Sequence, residues 1–297
     1  MGFPNEGFIM TKFLQCFFAI LAALGTFSLI SCTRSSAVRI MPAPLDSRAL
    51  AFDSSSNVFA VLAGSNQSKS VYIMDARSGR LRQTFGVSNH ADSIAFSRSG
   101  QVLVGYASGT VGALDVWSED GRSERSIPLP GPALGVTALG PSLAAALVSV
   151  AGARSIELVD ISREARLGVH PLPQGVSTVA HCAISGNQGV VFSAGINRRV
   201  EWMSFSGEVR DFSLRGISPF CSRNGKTLYA LQPEGHKYQI GFSLTKSGAM
   251  QYGGLAAPFG ARTASLGPNN ELLVLVVAAR TADVQVMQSL KEAQSAN

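Results

Sequence analysis

Charge is what this sequence has least of. Asp, Glu, Lys and Arg make up 15% of its 297 residues, where about 25% is usual for a soluble chain. Hydrophobic residues reach 46%, so the chain is not a disordered, solvating segment. Acid is scarcer than base, 19 residues against 25, and 19 of the 25 bases are arginine, for a net charge of +6. There is no GxSxG elbow, HExxH helix, GxGxxG turn or phosphate-binding loop, which removes the motif-bearing hydrolases, zinc peptidases and nucleotide enzymes. Four cysteines without a CxxC pair and four scattered histidines give no metal-ligand spacing, and no metal is expected. Helical periodicity is almost missing after the first 32 residues, which argues against a helical bundle.

What is present begins with one long apolar run. Phe13 to Ile30 reads FLQCFFAILAALGTFSLI behind a single cation, Lys12, the charge and hydrophobicity profile of an export signal. Met10 offers a start site that would make residues 1–9 an upstream extension. The run ends in Leu29, Ile30, Ser31, Cys32, which resembles the lipobox of bacterial lipoproteins. That resemblance implies cleavage of a signal peptide at residues 1–31, acylation of Cys32, and a short tether over 32–36. An uncleaved membrane anchor is the second reading, since about 18 apolar residues just span a bilayer, although Arg34 and Arg39 after the run fit it poorly. A plain secretory signal is the third. All three put the remaining chain outside the cytoplasm. Thr33, standing where an aspartate would retain an enteric lipoprotein at the inner membrane, implies the outer membrane facing the periplasm in a cell with two membranes. The lipid would make the membrane the first partner.

Beyond Cys32 lie about 265 residues, ample for a core, arranged as short Val-, Ile-, Leu- and Phe-rich runs separated by Gly, Ser, Asn and Pro. The runs repeat. ALAFDSSSNVFAVL at Ala49 returns as SIAFSRSGQVLVGY at Ser93, TALGPSLAAALV at Thr137, CAISGNQGVVFSA at Cys182, PFCSRNGKTLYAL at Pro219 and ASLGPNNELLVLV at Ala264. Phe52, Phe96, Leu139, Ile184, Cys221 and Leu266 then stand 44, 43, 45, 37 and 45 residues apart, about one propeller blade each. SVYIMDARSGRL at Ser70 resembles the YVTN propeller repeat, and Asp115, Val116 and Trp117 weakly resemble the WD dipeptide. The expectation is an all-β, six-bladed β-propeller over 37–290 with a polar tail at 291–297. The last copy lacks a fourth strand, and AVRIM at Ala37–Met41 is a spare one whose pairing there would close the ring and cover an open edge.

Candidate chemistry is sparse. Cys182 and Cys221 are left once the leader and Cys32 are set aside, and could pair in an oxidising compartment or stay as buried thiols. The face built from the connections between blades and from the loops joining second to third strands collects Arg48, Lys69, Arg154, Arg198, Arg199, Arg215, Lys237, Arg262 and Arg280 against Asp46, Asp92, Glu234 and Asp283. Arg154, Arg198, Arg199, Lys237 and Arg280 are the binding candidates, for an acidic protein surface or glycan gripped by arginine forks; a merely solubilising rim is the alternative. His90, Asp92 and His181 are weak catalytic candidates as base and orienting carboxylate, whereas His170 and His236 lack evident partners. A glycosidase would need two carboxylates about 5–10 Å apart, and the inner strand starts offer only Asp92. The leading expectation is a non-enzymatic, monomeric envelope lipoprotein with no cofactor and no nucleic-acid partner. An exported lactonase-like or quinone-linked dehydrogenase-like propeller enzyme, with its site at the channel mouth, is the competitor, and a structural envelope tether the third reading.

Overall fold

The computed structural model describes residues 39–287 except 54, 223, 235–236, 245, 247–249, 258–259, 268–270 and 278–280. At 233–234, 237–239, 242, 244 and 250–257 it describes the backbone alone. The leader, Cys32 and the polar tail therefore lie outside the described residues. Among the described residues no helix is long and apolar enough to cross a membrane.

Strand β1 (Arg39–Ala43) precedes six four-stranded antiparallel units. The first blade is β2 (Ser47–Asp53), β3 (Val58–Gly64), β4 (Lys69–Asp75) and β5 (Leu81–Val87). The second is β6 (Ala91–Phe96), β7 (Val102–Ser108), β8 (Val111–Trp117) and β9 (Ser123–Leu129), and the third β10 (Ala133–Ala138), β11 (Leu143–Val150), β12 (Ala153–Asp160) and β13 (Ala165–Leu172). The fourth comprises β14 (Val179–Ile184), β15 (Asn187–Ala194), β16 (Arg199–Ser204) and β17 (Val209–Arg215). The fifth comprises β18 (Ile217–Cys221), β19 (Thr227–Glu234), β20 (Lys237–Leu244) and β21 (Met250–Ala257). The sixth sheet runs β22 (Ala261–Leu266), β23 (Leu272–Val277), β24 (Ala282–Met287), and then β1. The chain is thus an all-β, six-bladed β-propeller. β1 pairs with β24 from Arg39 opposite Val286 to Ala43 opposite Ala282, so the strand runs two residues past the end of AVRIM; Ala37 and Val38 lie outside the described residues.

Each second strand is apolar on both faces because it is covered on both: Val58 to Ala63 and Leu272 to Leu275 are essentially inaccessible. The core is divided into six wedges, each between neighbouring blades. The innermost strands carry small residues, among them Ala49, Ala51, Ala95, Gly135, Ala138, Ala180 and Ala264, which lets six backbones approach one axis. The fifth copy follows the fourth at the short interval of 37 because Gly216 alone joins β17 to β18. Its φ of +151° and a would-be Cβ only 2.6 Å from the Leu231 carbonyl oxygen leave no room for any other residue.

Polar clasps connect the outer rims. From β1, Arg39 donates through Nη2 to the Ala76 carbonyl at 2.5 Å, and through Nη1 to that of Arg77, in the β4–β5 turn. From β5, Gln83 reaches the Asp120 carbonyl at 3.2 Å, and from β9 Arg125 reaches the Ile161 carbonyl at 2.8 Å. In each case an outer strand holds the turn of the next blade.

Candidate functional site

All six inner strands start at one face of the ring, here the entry face, and end at the other, the exit face. The entry face carries the inter-blade connections and the tips between second and third strands. Arg48, Arg198, Arg199, Arg215 and Arg262 are exposed there and Arg154 is half-buried. Arg198 occupies a tight tip with φ of +50°, held by its N–H donating to the Gly195 carbonyl and by its own carbonyl accepting from Gly216. Arg199 is ion-paired with Asp211 at 3.0 Å. Glu201 lies opposite Asp211 in the ladder; burial and then the Asp211 charge push its carboxyl up, against the pull of Arg199. Arg154 stands on β12 of the third blade, so the three arginines span two blades. Lys69 departs from the expected basic rim: it is buried, with Nζ donating to the Ala91 carbonyl, because its stem folds into the seam between the first two blades. Arg280 and His236 lie outside the described residues, and the Lys237 side chain is not described.

Two cavities follow the axis. The first, of about 350 Å³, is lined by Arg48, Asp92 and Arg262 where the inner strands begin, and by small side chains deeper in. The second, of about 600 Å³, lies where those strands end and is lined by Asp53, Ser97, Arg98, His181, Ser222 and the two cysteines. Phe52, Phe96 and Phe220 line both and form an apolar waist. Cys182 and Cys221 are joined by a disulfide, their Cα atoms 5.5 Å apart, tying the innermost strands of the fourth and fifth blades.

The histidines fall at opposite ends. His90 and Asp92 share an entry-face pocket with Lys69 and Asn66, and His90 meets the Tyr106 ring edge-on. His181 lines only the exit-face cavity, its Nε2 hydrogen-bonded to Gln188 Oε1 at 2.5 Å and its backbone N–H donating to Thr137 Oγ1 at 3.0 Å. Burial lowers the His181 pKa, the Gln188 bond raises it, and the Arg98 charge lowers it further, so the imidazole is neutral at pH 7. The structure therefore brings His90 to Asp92 but His181 to neither. Burial of Asp53 pushes its carboxyl up, yet hydrogen bonds from Ser56 and Ser55 outweigh this and hold it below the usual range. The two tryptophans pack between blades: Trp202 is buried and donates to the Cys182 carbonyl at 2.9 Å, and Trp117 stacks on Phe85. Among the described residues no cluster of His, Cys, Asp and Glu could hold a metal.

Sequence reasoning did not single out Arg98. Its turn, Ser97 to Gln101, is fixed by Ser97 Oγ accepting the Gln101 N–H at 3.0 Å, and the signal was the FSRSG string at Phe96, which returns as CSRNG at Cys221. Arg48 and Arg262, counted on the basic face, prove to line the channel mouth itself.

No protein-family model matches this sequence, and no curated protein is similar to it. Solved structures are similar in fold. The WD40 repeats of RRP9 align with a TM-score of 0.62 at 11% identity, over 86% of this chain and 98% of that one. The Cps50 (Swd1) β-propeller domain of Myceliophteria thermophila aligns at 0.59 and 13%, over 85% and 100%. A chain of Kuenenia stuttgartiensis hydrazine synthase aligns at 0.59 and 15%, over 80% and 83%. At such identities the likeness extends to the fold alone: this chain shares the WD40-like β-propeller architecture.

Proposed function

We propose that the chain is a non-enzymatic, envelope-anchored β-propeller, closed by β1, that binds a protein or anionic glycan through its entry face. The observation that carries this reading is the contrast between the two faces. At the entry face Arg48, Arg198, Arg215 and Arg262 are exposed without an ion pair to any described residue. At the exit face most described arginines are matched, among them Arg82 to Asp75, Arg122 to Asp120, Arg163 to Asp160 and Arg210 to Glu208, and Arg77, Arg80 and Arg98 are not. Unmatched arginine forks on one face suit a partner rich in carboxylate or sulfate groups. Each axial cavity is lined by a single described carboxylate, Asp92 or Asp53, which suits binding better than acid–base hydrolysis.

The experiment is crosslinking in living cells, comparing wild type with Arg154, Arg198 and Arg199 all changed to Glu. A partner captured by wild type and lost by the folded triple variant is the expected result. Capture of the same partner by both would move the site off this face. A second arm replaces Cys32 with Ala: release from the membrane fraction is expected, and retention there would remove the lipid anchor.

A further inference from the structure

We propose that the exit-face cavity is a binding site for a small carboxylate with an apolar body, held by Arg98 and His181. This goes beyond the entry-face reading and rests on different residues. The cavity is about 600 Å³, within the range that takes metabolite-sized ligands. Its floor is apolar: Phe52, Phe96, Phe220 and Leu266. Its polar wall holds Arg98, whose guanidinium makes no ion pair or hydrogen bond with any described residue, on a face where most arginines are matched. The turn that carries Arg98 is braced twice, by the Ser97 hydroxyl and by the Arg98 N–H reaching the Gly140 carbonyl of the next blade. An arginine held on a rigid turn over an apolar chamber is prepared for a carboxylate, because the cost of ordering the loop is already met by the fold.

His181 gives the site a second polar group, whose free ring nitrogen becomes a donor to the ligand only when the imidazole is protonated. Its ring faces Arg98 from the β6–β7 turn and Gln188 from β15, its backbone N–H is held by Thr137 of β10, and the disulfide and Asp53 of β2 line the same cavity. Of these groups only Arg98 and Asp53 are charged, and the Asp53 oxygens already accept from Ser55 and Ser56. An incoming carboxylate would offset the Arg98 charge and favour the imidazolium, so binding takes up a proton and tightens as pH falls.

The test uses the full chain in nanodiscs of zwitterionic lipid, with 4-fluorobenzoate as probe, followed through its own fluorine resonance against empty nanodiscs. The probe keeps a constant charge between pH 6 and 8, as carboxylates titrate near pH 4. Saturable binding is expected, weakened about tenfold or more in Arg98→Gln, an exposed position whose change leaves the fold intact. Binding should tighten measurably from pH 8 to pH 6 and lose that dependence in His181→Gln. Equal binding by wild type and Arg98→Gln would overturn the site, as would equal binding of 4-fluorobenzyl alcohol. Pull-down of the entry-face partner is read separately with Arg98→Gln, so failure here leaves that reading standing.

Discussion

At the residue scale, the Cys182–Cys221 disulfide joins positions 39 apart in sequence. Closing a loop of that length restricts the unfolded chain by about 2–4 kcal/mol. Replacing both cysteines with Ala should lower the melting temperature by about 5–15 °C for a domain of this size, and a scan of the oxidised wild type against the variant measures it. His181 makes a prediction of opposite origin. Its folded pKa lies below the unfolded value near 6.5, so between the two the unfolded chain binds more protons. Stability is therefore fully present above about pH 6.5 and declines as pH falls toward the folded value. His181→Gln should flatten that decline in urea midpoints taken from pH 7.5 to 5. An inner-strand position for His181 was readable from the repeat. Its distance of two blades from His90 and Asp92 was readable too, but its place at the opposite end of the channel was not, because alternation along a strand does not say at which end a side chain is accessible.

At the element scale, the blade-to-blade clasps rank the surface arginines. Arg125 holds a carbonyl of the next blade from a part-buried position, and losing it leaves that acceptor without its donor, so Arg125→Met should cost about 1–2 kcal/mol in denaturant unfolding. Arg122, 84% exposed and paired with an exposed Asp120, should cost less than about 0.5 kcal/mol on the same change. Equal costs would mean that the clasp contributes nothing. Strand positions and turn strings were legible because apolar runs alternate with Gly, Ser and Asn. The bulges were not. The inner strands of the first, second, third, fifth and sixth blades each slip register near their start, as at Ala91/Ser93 and Ala133/Gly135, and β14 does not. A bulge adds a residue without changing composition, so the small residues there read only as crowding.

At the scale of the whole molecule, six blades follow from a spacing near 43 that survives even where the repeat keeps only its apolar outline, since every wedge between blades needs the same layer of side chains. The charge contrast between the faces was legible in part. Lys69 was not, as folding turns its ammonium inward to a backbone carbonyl of the next blade. What joins first and last blades is the proposed closure by β1, and its energetic content can be argued. Met41 is 1% exposed, packed with Phe59, Val61, Leu273 and Val284 in the wedge between those blades. Gly79, at φ of +68°, lies so near that a Cβ would stand 2.8 Å from Met41 Cγ. Met41→Ala should cost about 2–5 kcal/mol through the cavity it leaves. Deleting Arg39–Ala43 removes that side chain, the Arg39 clasp and the ladder along β24 together, leaving an unpaired edge. Against a total stability of about 5–15 kcal/mol, the deletion should leave a protein that melts at least 10 °C lower and aggregates on warming, as light scattering during a thermal scan would record. A deleted chain that melts like wild type would mean that the wedge holds the ring together without β1.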